Sequence, residues 1–386
     1  MVRTSAYNSI REVLAARRLD SDRDLWRRRL REVTSEAVEA ALASRPGSYD
    51  LMKLLALISP AAEAYLEQMA ELSQRLTTQR FGRTIKLYVP LYLSSYCVNR
   101  CRYCGFNKDN TFARVRLTID EAMAEADLLA SEGFRDLLLV SSEDKAFISV
   151  EYLTDLTRKL RDRFSFVGVE IYQMSADEYR RLFEAGIEGV TLYQETYDRA
   201  AYARYHLGGP KADYDMRLRG PDDMAAAGMR EIGLGVLLGL ADWRIETLAL
   251  GEHASHLIRR YWQSHISFSF PRLRPAAGVP AAEFPHLLTD KNLVQMVLAL
   301  RLCFADAGLV LSTRERPQLR DHLVGLGITR LSAGSRTSPG AYSSPKTELQ
   351  QFEVDDPRKP MEVAAMLRKK GFEPVWKDWD PAFHGA

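Results

Sequence analysis

No stretch of about 18 consecutive apolar residues occurs in the 386-residue chain, so it offers no helix able to span a bilayer. Neither sign of charge is in excess. Fifty-three lysines and arginines face 51 aspartates and glutamates, which gives no reason to expect nucleic acid or an acidic membrane as the main partner. Cysteine is scarce: four residues are too few for a disulfide framework in a chain of this length. The N-terminus is Arg-rich but has no apolar segment, and Glu12, Asp20, Asp22 and Asp24 interrupt its basic run. Charged surface helices account for it better than a targeting segment does, and a cytoplasmic protein is expected. No internal repeat or low-complexity segment stands out.

What is present has a clear order. Up to about residue 80, apolar residues recur at three- and four-residue steps, with Pro60 and Gly82 as punctuation, which predicts a helical extension over residues 1–82. From Thr84 the pattern changes to a β-rich run, "TIKLYVPLYLSS", and later to a helix whose start carries a capping box from Thr118 to Glu121. Seven more strand candidates follow: "RDLLLVSS", "FVGVEIYQ", "GVTLYQE", "EIGLGVLLG", "HISFSFPR", "GLVLSTR" and "ITRLSAGS". Helical stretches alternate with them. Eight strands in such alternation predict a closed parallel (β/α)8 TIM-type barrel over residues 83–335, with a short C-terminal extension, 336–386, packing on it. Active sites of such barrels lie at the C-terminal mouths of the strands. "GLGVLLGL" is glycine-rich, but no Lys-Ser/Thr follows it, so it is not a phosphate loop.

Three of the four cysteines crowd into "SSYCVNRCRYCGFN", residues 94–107, as Cys97, Cys101 and Cys104. The loop follows the first strand and therefore lies at the barrel mouth. Inert core residues are a poor account of it, because Asn99, Arg100, Arg102 and Asn107 lace the loop. A structural zinc site lacks a fourth ligand, the nearest histidine being His206. A nucleophile needs one thiol and a histidine base. An iron–sulfur cluster held by three thiolates, with one iron open to another ligand, uses all three. Cys303, in the apolar helix "VLALRLCFADAG", is expected to be a buried small hydrophobe.

The C-x3-C-x2-C spacing, with Tyr103 before the last cysteine and Gly105 after it, resembles the radical S-adenosylmethionine enzymes. With "YQETY", "YWQSHISFSFPRLRP", "LSTRERP" and "PVWKDWD", the whole chain is similar to their aromatic amino acid lyase branch, and most similar to the thiamine-pathway tyrosine lyases. The resemblance implies a 4Fe-4S cluster on Cys97, Cys101 and Cys104, with S-adenosylmethionine on the open iron. It implies cleavage of L-tyrosine between Cα and Cβ to 2-iminoacetate (dehydroglycine) and 4-cresol. A thiazole synthase and a flavodoxin- or ferredoxin-type electron donor are the implied partners. Two relatives in the branch remain as alternatives, a tryptophan lyase and the hydrogenase-maturase tyrosine lyase. The maturase carries a second cluster on further C-terminal cysteines, whereas no cysteine follows Cys303 here and the final stretch offers only His384. Outside the class stands a non-catalytic zinc-stabilised scaffold barrel.

Further site candidates follow from position and resemblance. Glu143, in "SSED", stands where the superfamily often has Gly-Gly-Glu for the methionyl ammonium, although the two serines depart from that pattern. Glu170 and Glu195, at strand ends, are candidates for the ribose hydroxyls, and Glu195 also for the ammonium. Arg204 resembles the arginine aimed at the S-adenosylmethionine carboxylate. Tyr103 is assigned to the cofactor-binding set. Past the last two strands, Arg314 is the implied clamp for the substrate carboxylate, with Ser335 beside it; the plain alternative is an arginine bridging two loops through Glu315. Arg272 and Arg274 are expected to help close the mouth.

Overall fold

The computed structural model describes residues 8–279, 283–344 and 350–377. Every anticipated strand forms: β1 (Thr84–Ser94), β2 (Asp136–Ser141), β3 (Phe166–Glu170), β4 (Gly189–Thr191), β5 (Glu231–Gly235), β6 (His265–Ser269), β7 (Gly308–Leu311) and β8 (Arg330–Ser332). Each is shorter than or equal to its apolar run, because the polar residues at the C-terminal ends turn into the mouth loops. All neighbours are parallel. β1 closes the ring by pairing with β2 (Val89 opposite Leu137) and with β8 (Leu87 opposite Leu331), which makes a (β/α)8 TIM-type barrel.

The first eighty residues are helical but not one continuous run. Five helices, Ile10–Arg17, Arg23–Arg31, Ser35–Ala43, Leu51–Ile58 and Leu66–Phe81, are separated by sharp breaks. Ser9, Asp22, Thr34 and Asp50 begin the first four, each with its side chain accepting from a backbone N–H of the first turn. The capping box expected at Thr118 and Glu121 is present. The N-terminal helices pack against three barrel helices, Tyr214–Ala226, Trp243–Arg260 and Asp290–Cys303. One hydrophobic cluster runs from Ile10 through the barrel to Leu367, so extension and barrel share a core. Cys303 lies in that core, fully buried.

Some elements escaped the sequence pattern. The helix Tyr214–Ala226 contains Gly220 and Pro221, which disguise its period. The tail forms a helix, Pro360–Lys369, and a ninth strand, β9 (Glu373–Val375), which pairs with β1 outside the ring. At the opposite end from the mouth, Arg330 holds Asp136 and Glu231, each at 2.7 Å, while Lys86 reaches Asp136 at 2.7 Å, so paired charges close the barrel floor. The mouth is left as the chemically open end.

Candidate active site

The cysteine loop is held by backbone bonds from three sides. Val98 donates to Glu143 O (2.9 Å), Arg100 to Gly208 O (3.0 Å) and Arg102 to Tyr205 O (3.0 Å). Gly105 is pressed on the tail: a Cβ there would sit 2.7 Å from Gln350 O, so only glycine fits. The loop so fixed turns Cys97, Cys101 and Cys104 to one cavity, shared with Tyr103, Glu143, Glu170, Glu195, Lys211, Arg217, Arg274 and Arg314.

Burial pushes the Cys101 thiol up to about 12 and that of Cys104 to about 11, and the neighbouring thiols oppose a second negative charge. Thiolates persist here only when something positively charged binds them. Among the described residues no three His, Cys, Asp or Glu side chains are gathered for a single metal ion. The three thiols instead line one common cavity, a soft donor set suited to a cluster. His206 is committed elsewhere: its Nε2 accepts from the Tyr103 hydroxyl (2.8 Å) and its Nδ1 meets Tyr202 O (2.8 Å). Burial and nearby Lys211 push His206 down to about 3, so the ring is neutral. The donor set fits a cluster held by three cysteines.

Glu195 is one of two described non-glycine residues with positive φ, +67°. The strained turn aims its carboxylate into the cavity, where Lys211 Nζ lies at 2.6 Å and Arg217 at 3.8 Å. Burial opposes the charge, but Lys211 and Arg217 outweigh it and hold the Glu195 carboxyl below its ordinary range. Lys211 and Arg217 were not anticipated from sequence. Lys211 follows "GGP" in a short loop, and Arg217 sits on the helix disguised by Gly220–Pro221; a lysine and an arginine shortly after "QETY" were the available signal. Glu143, expected at a strand end, is buried and accepts a hydrogen bond from Asn99 Nδ2 (2.6 Å).

A second, inner cavity lies deeper in the barrel, with Tyr88, Tyr92, Ser269, Ser312, Ser332, Ser335 and Thr337 on its wall. Arg314 lines both cavities, stacked on Phe352 with 3.3 Å from guanidinium to ring centroid. Ser335 Oγ is buried on the inner wall without a hydrogen-bond partner among the described residues. Glu315 is bridged by Arg272, not by Arg314, and Arg274 pairs with Asp355 of the tail. Thus the tail, through Gln351, Phe352 and Asp355, covers part of the mouth.

Arg204 departs from its expected place. It is exposed in the last turn of the helix Arg199–Tyr205, over the Tyr205 ring, and lies outside the set lining the cavity. The helix is short, and its buried face is taken by Tyr202 and Tyr205. Cations at the cavity wall come instead from Lys211, Arg217, Arg274 and Arg314.

A closed β/α barrel with three cysteines after its first strand, facing carboxylates and cations from the other strand ends, is consistent with a radical S-adenosylmethionine enzyme, and the Radical SAM superfamily model matches residues 91–250. A second model, the Biotin and Thiamin Synthesis associated domain, matches residues 269–373. The 2-iminoacetate synthase of Escherichia coli (strain K12) is 44% identical over 93% of this chain and 94% of its own length. That of Salmonella typhimurium is also 44% identical, over 92% of this chain and 96% of its own. The crystal structure of HydG, a maturase of the FeFe-hydrogenase, superposes with a TM-score of 0.86 at 33% identity, covering 93% of this chain and 80% of that one. The chain belongs to the 2-iminoacetate synthase family of radical S-adenosylmethionine enzymes.

Proposed function

We propose that the protein cleaves the Cα–Cβ bond of L-tyrosine to 2-iminoacetate and 4-cresol, supplying thiazole formation in thiamine biosynthesis. The observation that carries this reading is that, among the described residues, a single cation, Arg314, stands on the wall between the thiol-lined cavity and the inner cavity. An amino acid whose carboxylate rests on Arg314 has its backbone atoms at the boundary and its side chain inside, among Tyr88, Tyr92, Ser269 and Ser312. An aromatic and hydroxyl-lined interior suits a phenol, which is apolar on its faces and polar at its tip. Ser335 Oγ, unpartnered among the described residues, supplies a hydroxyl at the wall of the inner cavity.

Cys97, Cys101 and Cys104 would hold a 4Fe-4S cluster, and Lys211, Arg217, Glu143 and Glu195 surround the space for S-adenosylmethionine. When bound there, the pair would supply one-electron chemistry for hydrogen-atom abstraction from the substrate. Glu195 offers a carboxylate to ribose hydroxyls or to an ammonium. Arg217, anchored by Nε to Tyr193 O at 2.8 Å, presents its remaining donors to a carboxylate. Phe352 and the tail limit water at the mouth. The imine product is unstable in water, so a thiazole synthase is the fitting recipient, and a flavodoxin- or ferredoxin-type protein the fitting electron donor.

The test is anaerobic reconstitution with iron, sulfide, S-adenosylmethionine and reductant, followed by product analysis from tyrosine and from tryptophan. Cresol and glyoxylate, the hydrolysis product of 2-iminoacetate, should appear in near-equal amounts from tyrosine. A 3-methylindole-type product from tryptophan in place of cresol would move the enzyme to the tryptophan branch. Stoichiometric carbon monoxide would move it to the maturase type.

A further inference from the structure

Among the described residues six line both cavities, and only two of these are charged: Arg314 and Glu170. They carry opposite signs and attract each other across the boundary. The other carboxylates at the mouth are already matched. Glu195 is paired with Lys211 at 2.6 Å, and Glu143 accepts from Asn99 at 2.6 Å. Glu170 differs. Among the described residues it has no ion pair within bonding reach and accepts one hydrogen bond, from the Tyr193 hydroxyl to Oε2 at 3.1 Å. Burial pushes its carboxyl up against the pull of Arg314, the Tyr193 hydrogen bond and Lys211, with Glu195 adding to the rise. A carboxylate in this position gains most from a cation that arrives with the substrate.

An α-amino acid brings such a cation, set two bonds from the carboxylate that Arg314 fits. Beyond the boundary the inner cavity is lined by Tyr88, Tyr92, Ser269, Ser312 and Thr337, and among the described residues there no charge competes for an ammonium. We propose that Glu170 receives the α-ammonium of the amino-acid substrate and takes one of its protons, so that the nitrogen faces the thiol-lined cavity as a free amine. This rests on the amino-acid lyase reading above. In the step one N–H bond breaks and one O–H bond forms on the Glu170 carboxylate. The electron pair stays on nitrogen and the total charge is unchanged. Arg314 and Glu170 together then read both ends of the amino-acid backbone, and the ring pocket reads only the side chain. Glu170 is thereby assigned to the substrate and not to the ribose.

The experiment uses cluster-loaded enzyme with S-adenosylmethionine and no reductant, so that ligands bind without turnover. L-Tyrosine is compared with 3-(4-hydroxyphenyl)propanoate, which keeps the carboxylate and phenol but lacks the amine. Glu170→Gln should lower tyrosine affinity by about ten- to a hundredfold and leave the propanoate within about twofold of wild type. Glu170→Asp, which keeps the charge, should retain a preference for tyrosine over the propanoate, and covers the case in which the glutamine variant folds poorly. In turnover, Glu170→Gln should gain kcat as pH rises toward the titration of the substrate amine, a dependence weaker in wild type. Arg314, Tyr193, Glu195, Lys211, Tyr88 and Tyr92 face the same carboxylate and are common to both enzymes. Equal losses for both ligands, or unchanged tyrosine affinity in Glu170→Gln, overturn the Glu170 role alone. Failure of wild type to bind either ligand overturns the lyase reading and this role with it.

Discussion

Lys211 Nζ lies 2.6 Å from the Glu195 carboxylate, sixteen residues away in the chain, inside the cavity that the three loop cysteines line. Glu195 is buried and Lys211 largely so, so each depends on the other. Lys211→Met leaves Glu195 with only Arg217 at 3.8 Å, and should destabilise the cluster-free protein by about 3–5 kcal/mol. Adding Glu195→Gln should recover part of that loss, because the buried carboxylate is then neutral and only Arg217 gives up a partner, at 3.8 Å. Urea unfolding of the two single variants and the double variant measures the coupling. Additive losses would show that the pair is not the reason for the cost.

The three loop cysteines and Cys303 should behave differently. Cys97→Ala, Cys101→Ala and Cys104→Ala should each abolish the iron–sulfur absorbance after anaerobic reconstitution. Cys303→Ala should keep iron content near that of wild type and cost only a little stability, since Cys303 sits fully buried in the helix Asp290–Cys303, away from the mouth. Dependence of iron binding on Cys303 would contradict the three-thiol site.

Arg217 and Arg204 separate the geometric expectation from the one drawn by resemblance. Arg217→Leu should weaken S-adenosylmethionine binding by about ten- to a hundredfold, the loss of a charge-assisted contact. Arg204→Ala, at an exposed position, should leave it within about twofold. Equilibrium dialysis with the cluster-loaded variants checks both, and the reverse order of effects would restore Arg204 to the site.

The tail is tied to the barrel by a fully buried ion pair, Arg320 with Asp356, reinforced by Arg358. Burial raises the Asp356 carboxyl, but its hydrogen bonds from Arg358 and the charge of Arg320 more than offset this and leave it below its ordinary value. A depressed acid stabilises the fold above its unfolded value, about 3.9, and that contribution disappears as pH falls through the folded value. Asp356→Asn should therefore be less stable than wild type at pH 7, and the gap should narrow as pH falls below about 4. Thermal melts from pH 7 to pH 3 test the sign, and a constant gap would refute it.

Much of this was legible along the chain. The strand runs, the capping box at Thr118 and the cysteine spacing are local patterns, set by neighbours within a few residues, and each appears where the pattern placed it. Barrel closure was also legible, because eight alternations of strand and helix leave few other ways to bury both faces of a parallel sheet. What only the tertiary structure decided are the pairings across the mouth. Lys211 meets Glu195 because a loop after "GGP" folds back under the cysteine loop, and Arg217 arrives on a helix whose Gly220–Pro221 step hides its period. Arg204 carried the expected residue type at the expected distance in sequence, yet Tyr202 and Tyr205 fill the buried face of its helix and leave it outside. Glu170 and Arg314 stand at the same boundary only because β3 and the loop after β7 face each other across the ring. Strand order and spacing follow from local hydrophobic pattern, whereas the charges that meet inside the barrel are chosen by its curvature, and no local pattern encodes that.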